Sequence, residues 1–363
     1  MMLRIFLFLI FTTFASKLYS SDIPIIVISP GKTLQSIGTV GSDVSVITEK
    51  NIKNSNNFFI SDVISENIVG THFSRQGGVG TNSLFQVRGL PKRYTNVYID
   101  GVKMSDPSTP DNSFYFNNLT LNGVKQIEVL KGNQSSLYGS GAIGGAINIY
   151  TKTSDSDTLN KNFDIFTGSN NSKNVSFSLD QKIDNFDYYL GLNKYITDGI
   201  SAMNHNNEDD SYRNDNAILN VGYIINDNLR LENKFRANKS FLNYDTSNEN
   251  VTDLNDRTKD REFSYVLRLI NDNDYLKNSY TYNRYYIKRN VSDNKTTKKN
   301  YYGYRDSINY NGEYNFSLDN RIIFGLDNEF EAADFDTWAT NAAFESDEAI
   351  YSQYFDIQIR PSE

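Results

Sequence analysis

The chain has 363 residues, 44 acidic against 36 basic, a formal net charge of −8 and no cysteine. That balance disfavours nucleic acid as a partner, and the missing cysteines exclude a disulfide framework. A mean hydropathy of −0.54, with 25 Tyr and 23 Phe against a single Trp, fits a soluble protein or a membrane β-barrel, whose alternating strands average out in hydropathy.

Met1 to Ala15 holds one basic residue, Arg4, followed by an apolar run too short to span a bilayer. Residues 1–21 therefore read as a secretory signal peptide, with small residues at Ser20 and Ser21 near the cleavage point. A β-branched run follows: Ile23, Pro24, Ile25, Ile26, Val27 and Ile28, bounded by Pro24 and Pro30 because neither proline donates to a ladder. It is an extended segment with free backbone groups, suited to strand addition or to the first strand of the next domain.

Residues 22–30 lead into a first unit over 31–155 with mixed helix and strand patterns. Thr48 is a helix-cap candidate for residues 47–57, and Phe59, Val63, Ile64 and Ile68 stand at helical spacing. Two loops combine polar and planar groups: one carries Gln76, Thr81, Asn82 and Ser83, the other Asp106, Ser113, Phe114 and Tyr115. Such loops suit a bulky ligand with both kinds of surface, or are simply connections.

Residues 124–150 carry the most information. Ile127 and Val129 alternate with Glu128 and Leu130 as a strand, and Ile147 and Ile149 resume the alternation. Between them Gly139, Gly141, Gly144 and Gly145 supply turn conformations that other residues resist. The glycines run into a β-branched strand and no Gly-Lys-Ser/Thr follows, which excludes a dinucleotide or phosphate loop.

Over 156–363 the texture changes to strand-like runs separated by Asn/Asp-rich segments. Leu229, Leu231, Phe235 and Ala237 share one face while Arg230, Glu232, Lys234 and Arg236 share the other. Phe263, Tyr265, Leu267 and Leu269 repeat the pattern, as do Phe355, Ile357 and Ile359. One buried face per strand would produce the same alternation in a soluble β-sandwich; the leader and the aromatic excess favour a barrel. His72 and His205 stand alone, and no triad, Cys/His or metal spacing supports an enzyme.

Three segments in order, Phe85-Gln-Val-Arg-Gly89, Tyr98-Ile-Asp-Gly-Val102 and the stretch 124–150, resemble the plug signatures of TonB-dependent outer-membrane receptors. The resemblance covers Arg88, Gly89, Asp100, Gly101, Glu128, Gly132, Tyr138, Gly139, Gly144 and Gly145. It implies an α+β plug domain inside a large antiparallel transmembrane β-barrel in a Gram-negative outer membrane. About ten strands are expected here against about twenty-two in a plugged transporter, hence only about the first half of a barrel. Residues 23–28 look like the TonB box, which would recruit TonB and its inner-membrane energising complex. Arg88 and Glu128 become candidates for ion pairs between plug and barrel. Within the family the acidic loop at 206–215 is similar to that of the cobalamin receptors, which implies Ca²⁺ on Glu208 and Asp210, with Asp245 and Asp253 as partners; a solvated loop is the alternative. No cofactor is otherwise required. The resemblance thus implies uptake of cobalamin or a related corrinoid, with a ferric-siderophore or haem receptor second and a non-transport adhesin barrel third.

Overall fold

The computed structural model describes residues 25–28, 31–201, 209–245, 256–273, 275–293, 297–317, 320–337 and 342–359. The expected signal peptide at residues 1–21, with Ile23 and Pro24 of the expected TonB box, lies outside them.

The first unit contains β1 (Ile26–Val27), β2 (Gln35–Ser36), β3 (Asp43–Ile47), β4 (Thr71–Arg75), β5 (Ser83–Val87), β6 (Thr95–Ile99), β7 (Val102–Lys103), β8 (Val124–Lys131) and β9 (Gly145–Thr151). Its helices are α1 (Glu49–Asn54), α2 (Ile60–Asn67) and the single turn α3 (Ser135–Tyr138). Thr48 caps α1 as expected: its side chain accepts from the Asn51 N–H while Asn51 answers to the Thr48 N–H, a capping box. A five-stranded sheet in the order β3-β8-β9-β6-β7 forms the centre. Ile60, Val63 and Ile64 of α2 pack with Val97, Ile127, Val129 and Ile147 in one fully buried core, each such side chain contributing about 1.5–3 kcal/mol.

Two of the signature segments are tight turns. Asp100-Gly101 joins β6 to β7 with φ of 53° and 95°, and Arg88-Gly89 follows β5 with φ of 53° and 76°. Two successive left-handed residues are what a type I′ hairpin requires, hence the Gly after each polar residue. The later glycines divide into two groups. Gly139 and Gly145 do adopt positive φ, 78° and 155°. Gly141 and Gly144 instead leave room for close neighbours, a Cβ there lying 2.5 Å from Asn96 Oδ1 and 3.0 Å from the Tyr94 carbonyl respectively.

The second unit is a ten-stranded antiparallel meander. Its strands are β10 (Asn160–Thr167), β11 (Lys173–Ile183), β12 (Phe186–Thr197), β13 (Tyr212–Asn226), β14 (Leu229–Tyr244), β15 (Asp256–Asp272), β16 (Leu276–Asp293), β17 (Thr297–Asn315), β18 (Arg321–Thr337) and β19 (Ala342–Gln358). Among the described residues β10 and β19 each pair on one side only, so the sheet has two open edges. The strand ends flanking the short connections, Ile183 and Phe186, Asn226 and Leu229, Asp272 and Leu276, and Asn315 and Arg321, lie at one end of the sheet, while those flanking the longest, Thr197 and Tyr212, and Tyr244 and Asp256, lie at the other.

The alternation settles which face turns inward. Arg236, Asn238 and Ser240 are buried against the plug side, whereas Phe235, Phe263, Leu219 and Leu267 are exposed on the opposite face. A soluble sandwich would bury the apolar set, so polar-in, apolar-out strands exclude it.

Candidate functional site

Where the polar face of the sheet meets the first unit, buried charges and amides join the two. The Asp100 carboxylate accepts from Lys234 Nζ at 2.7 Å and from the Thr151 N–H and hydroxyl at 3.1 and 2.5 Å. The carbonyl of the same residue accepts from Arg268 Nη2 at 2.8 Å, and Asn220 donates to the Thr151 hydroxyl and the Lys152 carbonyl at 2.7 Å each. One hairpin turn is thereby held by β13, β14 and β15. Burial opposes the Asp100 charge, but the Lys234 ammonium and the Lys234 and Thr151 hydrogen bonds outweigh it and hold the carboxyl below the usual carboxylate range.

A second junction surrounds Arg305, which is 2 % exposed. Its guanidinium contacts Glu331 at 2.6 Å and donates to the Lys103 and Ser105 carbonyls at 2.9 and 3.0 Å. Lys103 Nζ meets Glu329 at 2.7 Å and Glu331 at 3.3 Å. Nearer the long loops, Asn118 donates to Asp260 at 2.9 Å, and Tyr212 donates to Asn118 Oδ1 at 2.9 Å. Arg289 lies 3.4 Å from Asp106.

The pairing with the barrel expected of Arg88 and Glu128 is not among these contacts. Arg88 pairs with Asp43 at 2.7 Å, within the first unit and largely exposed. Glu128, wholly buried, accepts the Ile28 N–H at 3.1 and 3.2 Å and the Gln126 amide at 2.7 Å. These contacts of both residues lie within the first unit. The residues that do bridge to the sheet, Lys234, Arg268, Arg305, Glu329 and Glu331, were missed by sequence reading. Their signal was present as charges on the polar parity of strands, a parity ordinarily assigned to solvent.

The chain's start is tied to the same end as the short turns. Ile26 and Val27 pair with Ser36 and Gln35, and Gln126 donates to the Ile26 carbonyl at 3.0 Å. Lys32 reaches Asp327 at 2.8 Å, and Arg321 donates to the Leu34 carbonyl at 3.4 Å. Ile25 and Ile26 are exposed, whereas Val27 is buried.

Of the expected ligand contacts, Gln76 and Asn82 are exposed and Tyr115 is half-buried under the Lys92 ammonium, 3.5 Å from its ring centre. Thr81, Ser83, Asp106, Ser113 and Phe114 are buried: Asp106 caps Ser108, and Phe114 packs edge-on to Phe116 at 4.8 Å. A cavity of about 1650 Å³ separates β6 and β9 from the sheet, and none of the eight lines it. Tyr98, Tyr138, Asn148, Thr281 and Asn309 do, and its lining extends to Tyr275 and Phe316 beside the short turns.

Of the proposed cation ligands, Glu208 and Asp253 lie outside the described residues. Asp210 is buried and Asp245 accepts from Ser201 at 3.3 Å. Among the described residues no group of three or more His, Cys, Asp or Glu stands together.

A small α+β domain seated on the polar face of an apolar-out β-sheet defines a plugged outer-membrane barrel protein. Residues 36–146 match the TonB-dependent Receptor Plug Domain model, which makes the first unit a plug domain and the chain similar to TonB-dependent receptors of the Gram-negative outer membrane. It is 27% identical over 237 residues to the Vitamin B12 transporter BtuB of Photobacterium profundum, covering 64% of this chain and 38% of that protein. Its structure is similar to the alcaligin outer-membrane receptor FauA from Bordetella pertussis (TM-score 0.76, 14% identity, 93% of this chain and 56% of that one). It is similar too to the siderophore receptor PirA from Acinetobacter baumannii (TM-score 0.64, 19% identity, 81% and 48%). The chain thus spans about half, or less, of the relatives it matches. The family is one of receptors and transporters rather than enzymes.

Proposed function

We propose that this chain serves TonB-dependent uptake of a bulky, scarce ligand across the outer membrane, with cobalamin or a related corrinoid first among the ligands. The observation that carries the energised part is the seating of residues 25–28. Their ladder with β2 is only two residue pairs long, and it lies at the short-turn end, which faces the periplasm in such barrels. A short ladder of this kind exchanges readily for a strand of another protein, the mode by which Ile23–Ile28 would recruit TonB.

The corrinoid preference is supported by the sequence likeness to a vitamin B12 transporter. Structural likeness to siderophore receptors favours a ferric chelate as the second reading; an adhesin has no use for a plug held by buried ion pairs. Calcium on the acidic loops belongs to the first reading, as a cation that would order them for capture.

Uptake and surface binding of labelled cyanocobalamin, measured in cells carrying the natural receptor and its Val27→Pro variant, test this directly. Proline cannot donate to the exchanged ladder, so uptake should vanish while binding persists. Binding lowered by chelation of calcium would support the loop site. Absence of cyanocobalamin binding would shift the ligand to a ferric chelate or haem, and uptake that survives the proline would remove the TonB-box assignment.

A further inference from the structure

The outward face of the sheet is apolar over most of its breadth, yet near the long loops it carries a basic patch assembled from five strands. Register puts Lys194 opposite Asp215, Asp215 opposite Lys239, Lys239 opposite Arg261 and Arg261 opposite Lys288. These positions form one row, with neighbouring strands about 4.8 Å apart. The next row toward the long loops adds Arg213 and Lys259. Asp215 is the acid in this group, and it is already engaged by Lys194 at 3.3 Å and Arg213 at 3.0 Å. Lys259 and Lys288 rest on the rings of Phe241 and Tyr302. Among the described residues Lys239 and Arg261 have no carboxylate partner.

The row immediately toward the short turns is apolar throughout: Phe177, Leu192, Ala217, Ala237 and Phe263 stand opposite one another in turn. Because its two central members are alanines flanked by bulky residues, the surface is hollowed there. The hollow measures about 580 Å³ and is bordered by Lys194, Lys239 and Arg261 together with the already engaged Asp215. A chain with a net charge of −8 thus places unpaired cations beside an apolar recess on the face turned to lipid.

We infer that this patch is a docking site for a phosphate-bearing, acylated lipid of the outer leaflet, its phosphate on Lys239 and Arg261 and an acyl chain over Ala217 and Ala237. Charge complementarity selects the occupant: cations at the membrane interface attract anionic headgroups, a neutral lipid has no partner for them, and a soluble anion has no use for the alanine recess. At the short-turn end of the same face the row of Ile183, Phe186, Tyr223, Leu231 and Leu269 carries no cation, so the site belongs to one leaflet.

The test uses the natural receptor isolated from outer membranes, delipidated and returned to three probes: a bis-phosphorylated acylated disaccharide lipid with a net negative charge, its dephosphorylated form, and phosphatidylcholine, whose phosphate charge is cancelled by its choline. Native mass spectrometry counts lipid retained per protein, and the heat-dependent gel shift reports folding in every sample. The phosphorylated probe should be retained about tenfold better than either neutral one. Lys239→Gln/Arg261→Gln should remove that preference, and Lys239→Arg/Arg261→Lys should keep it. Ala217→Phe/Ala237→Phe should lower retention with the charges intact. Equal retention of all three lipids by the native protein, or an unchanged preference in the folded glutamine variant, would overturn the site.

Discussion

Lys32 and Asp327, 295 residues apart in the chain, form an ion pair of 2.8 Å. The pair ties the segment between β1 and β2 to β18, and the same ammonium lies 4.4 Å from the Tyr354 ring centre. Both side chains are about four-fifths buried, between the exposed pairs that contribute little and the buried pairs that are costly to break. Asp327→Asn should therefore weaken the segment's seating by roughly 1–2 kcal/mol. Hydrogen exchange at Ile26, Val27 and Ile28 should accelerate about tenfold, with the rest of the plug unaffected. Unchanged protection would show that Glu128 and Gln126 hold the segment alone.

Asp100 and Lys234 form a more deeply buried pair. Asp100→Asn leaves an ammonium without its anion, at a cost of about 3–5 kcal/mol, and replacing Lys234 with Met in the same chain should recover much of it. Urea titration of plug docking, followed by protease sensitivity at the β6–β7 turn, measures both. Additive losses in the double variant would deny the coupling.

The same pair sets an acid limit. The Asp100 carboxyl titrates below its ordinary value in the folded protein, so its stabilisation is fully present above the unfolded value, about 3.9, and is lost as pH falls through the folded one. The urea midpoint for plug docking should therefore drop as the pH falls below about 4, and drop less in Asp100→Asn. Parallel acid profiles for the two proteins would place the acid sensitivity elsewhere.

Gly145 and Gly139 both have positive φ but differ in space. A Cβ on Gly145 would overlap the Leu130 carbonyl, whereas one on Gly139 meets nothing within 4 Å. Gly139→Ala should cost about 1–2 kcal/mol from backbone strain alone, and Gly145→Ala more, because β8 and β9 must separate there. Comparing the folded yields of the two variants decides it; equal yields would mean that the β8–β9 contact relaxes freely.

Leu219 and Asn220 are neighbours on opposite faces of β13, the first exposed and the second buried against Thr151. Leu219→Arg should impair folding into vesicles by up to about 4 kcal/mol, while Leu219→Phe should be neutral. An arginine tolerated at 219 in lipid would contradict the apolar-out orientation.

Local chemistry determined much of this protein from the sequence alone. The Thr48 cap and the period-2 runs of β14 and β15 depend on neighbours within a few residues, and both were legible, whereas Asp100-Gly101 and Arg88-Gly89 were legible as signature segments and only the structure made them turns. Alternation defines two faces of a strand, yet it does not say which face turns inward. That depends on whether water or lipid lies outside and on what fills the interior, so it took the plug seated against Arg236, Asn238 and Ser240 to decide it. For the same reason Arg88 and Glu128 were legible as signature charges while their partners were not. Pairs such as Lys32 with Asp327, or Lys103 with Glu329, join strands that only the docking of plug on sheet brings together. The basic row of Lys194, Lys239, Arg261 and Lys288 is hidden in the sequence because each cation sits on a different strand, and ladder register alone aligns them.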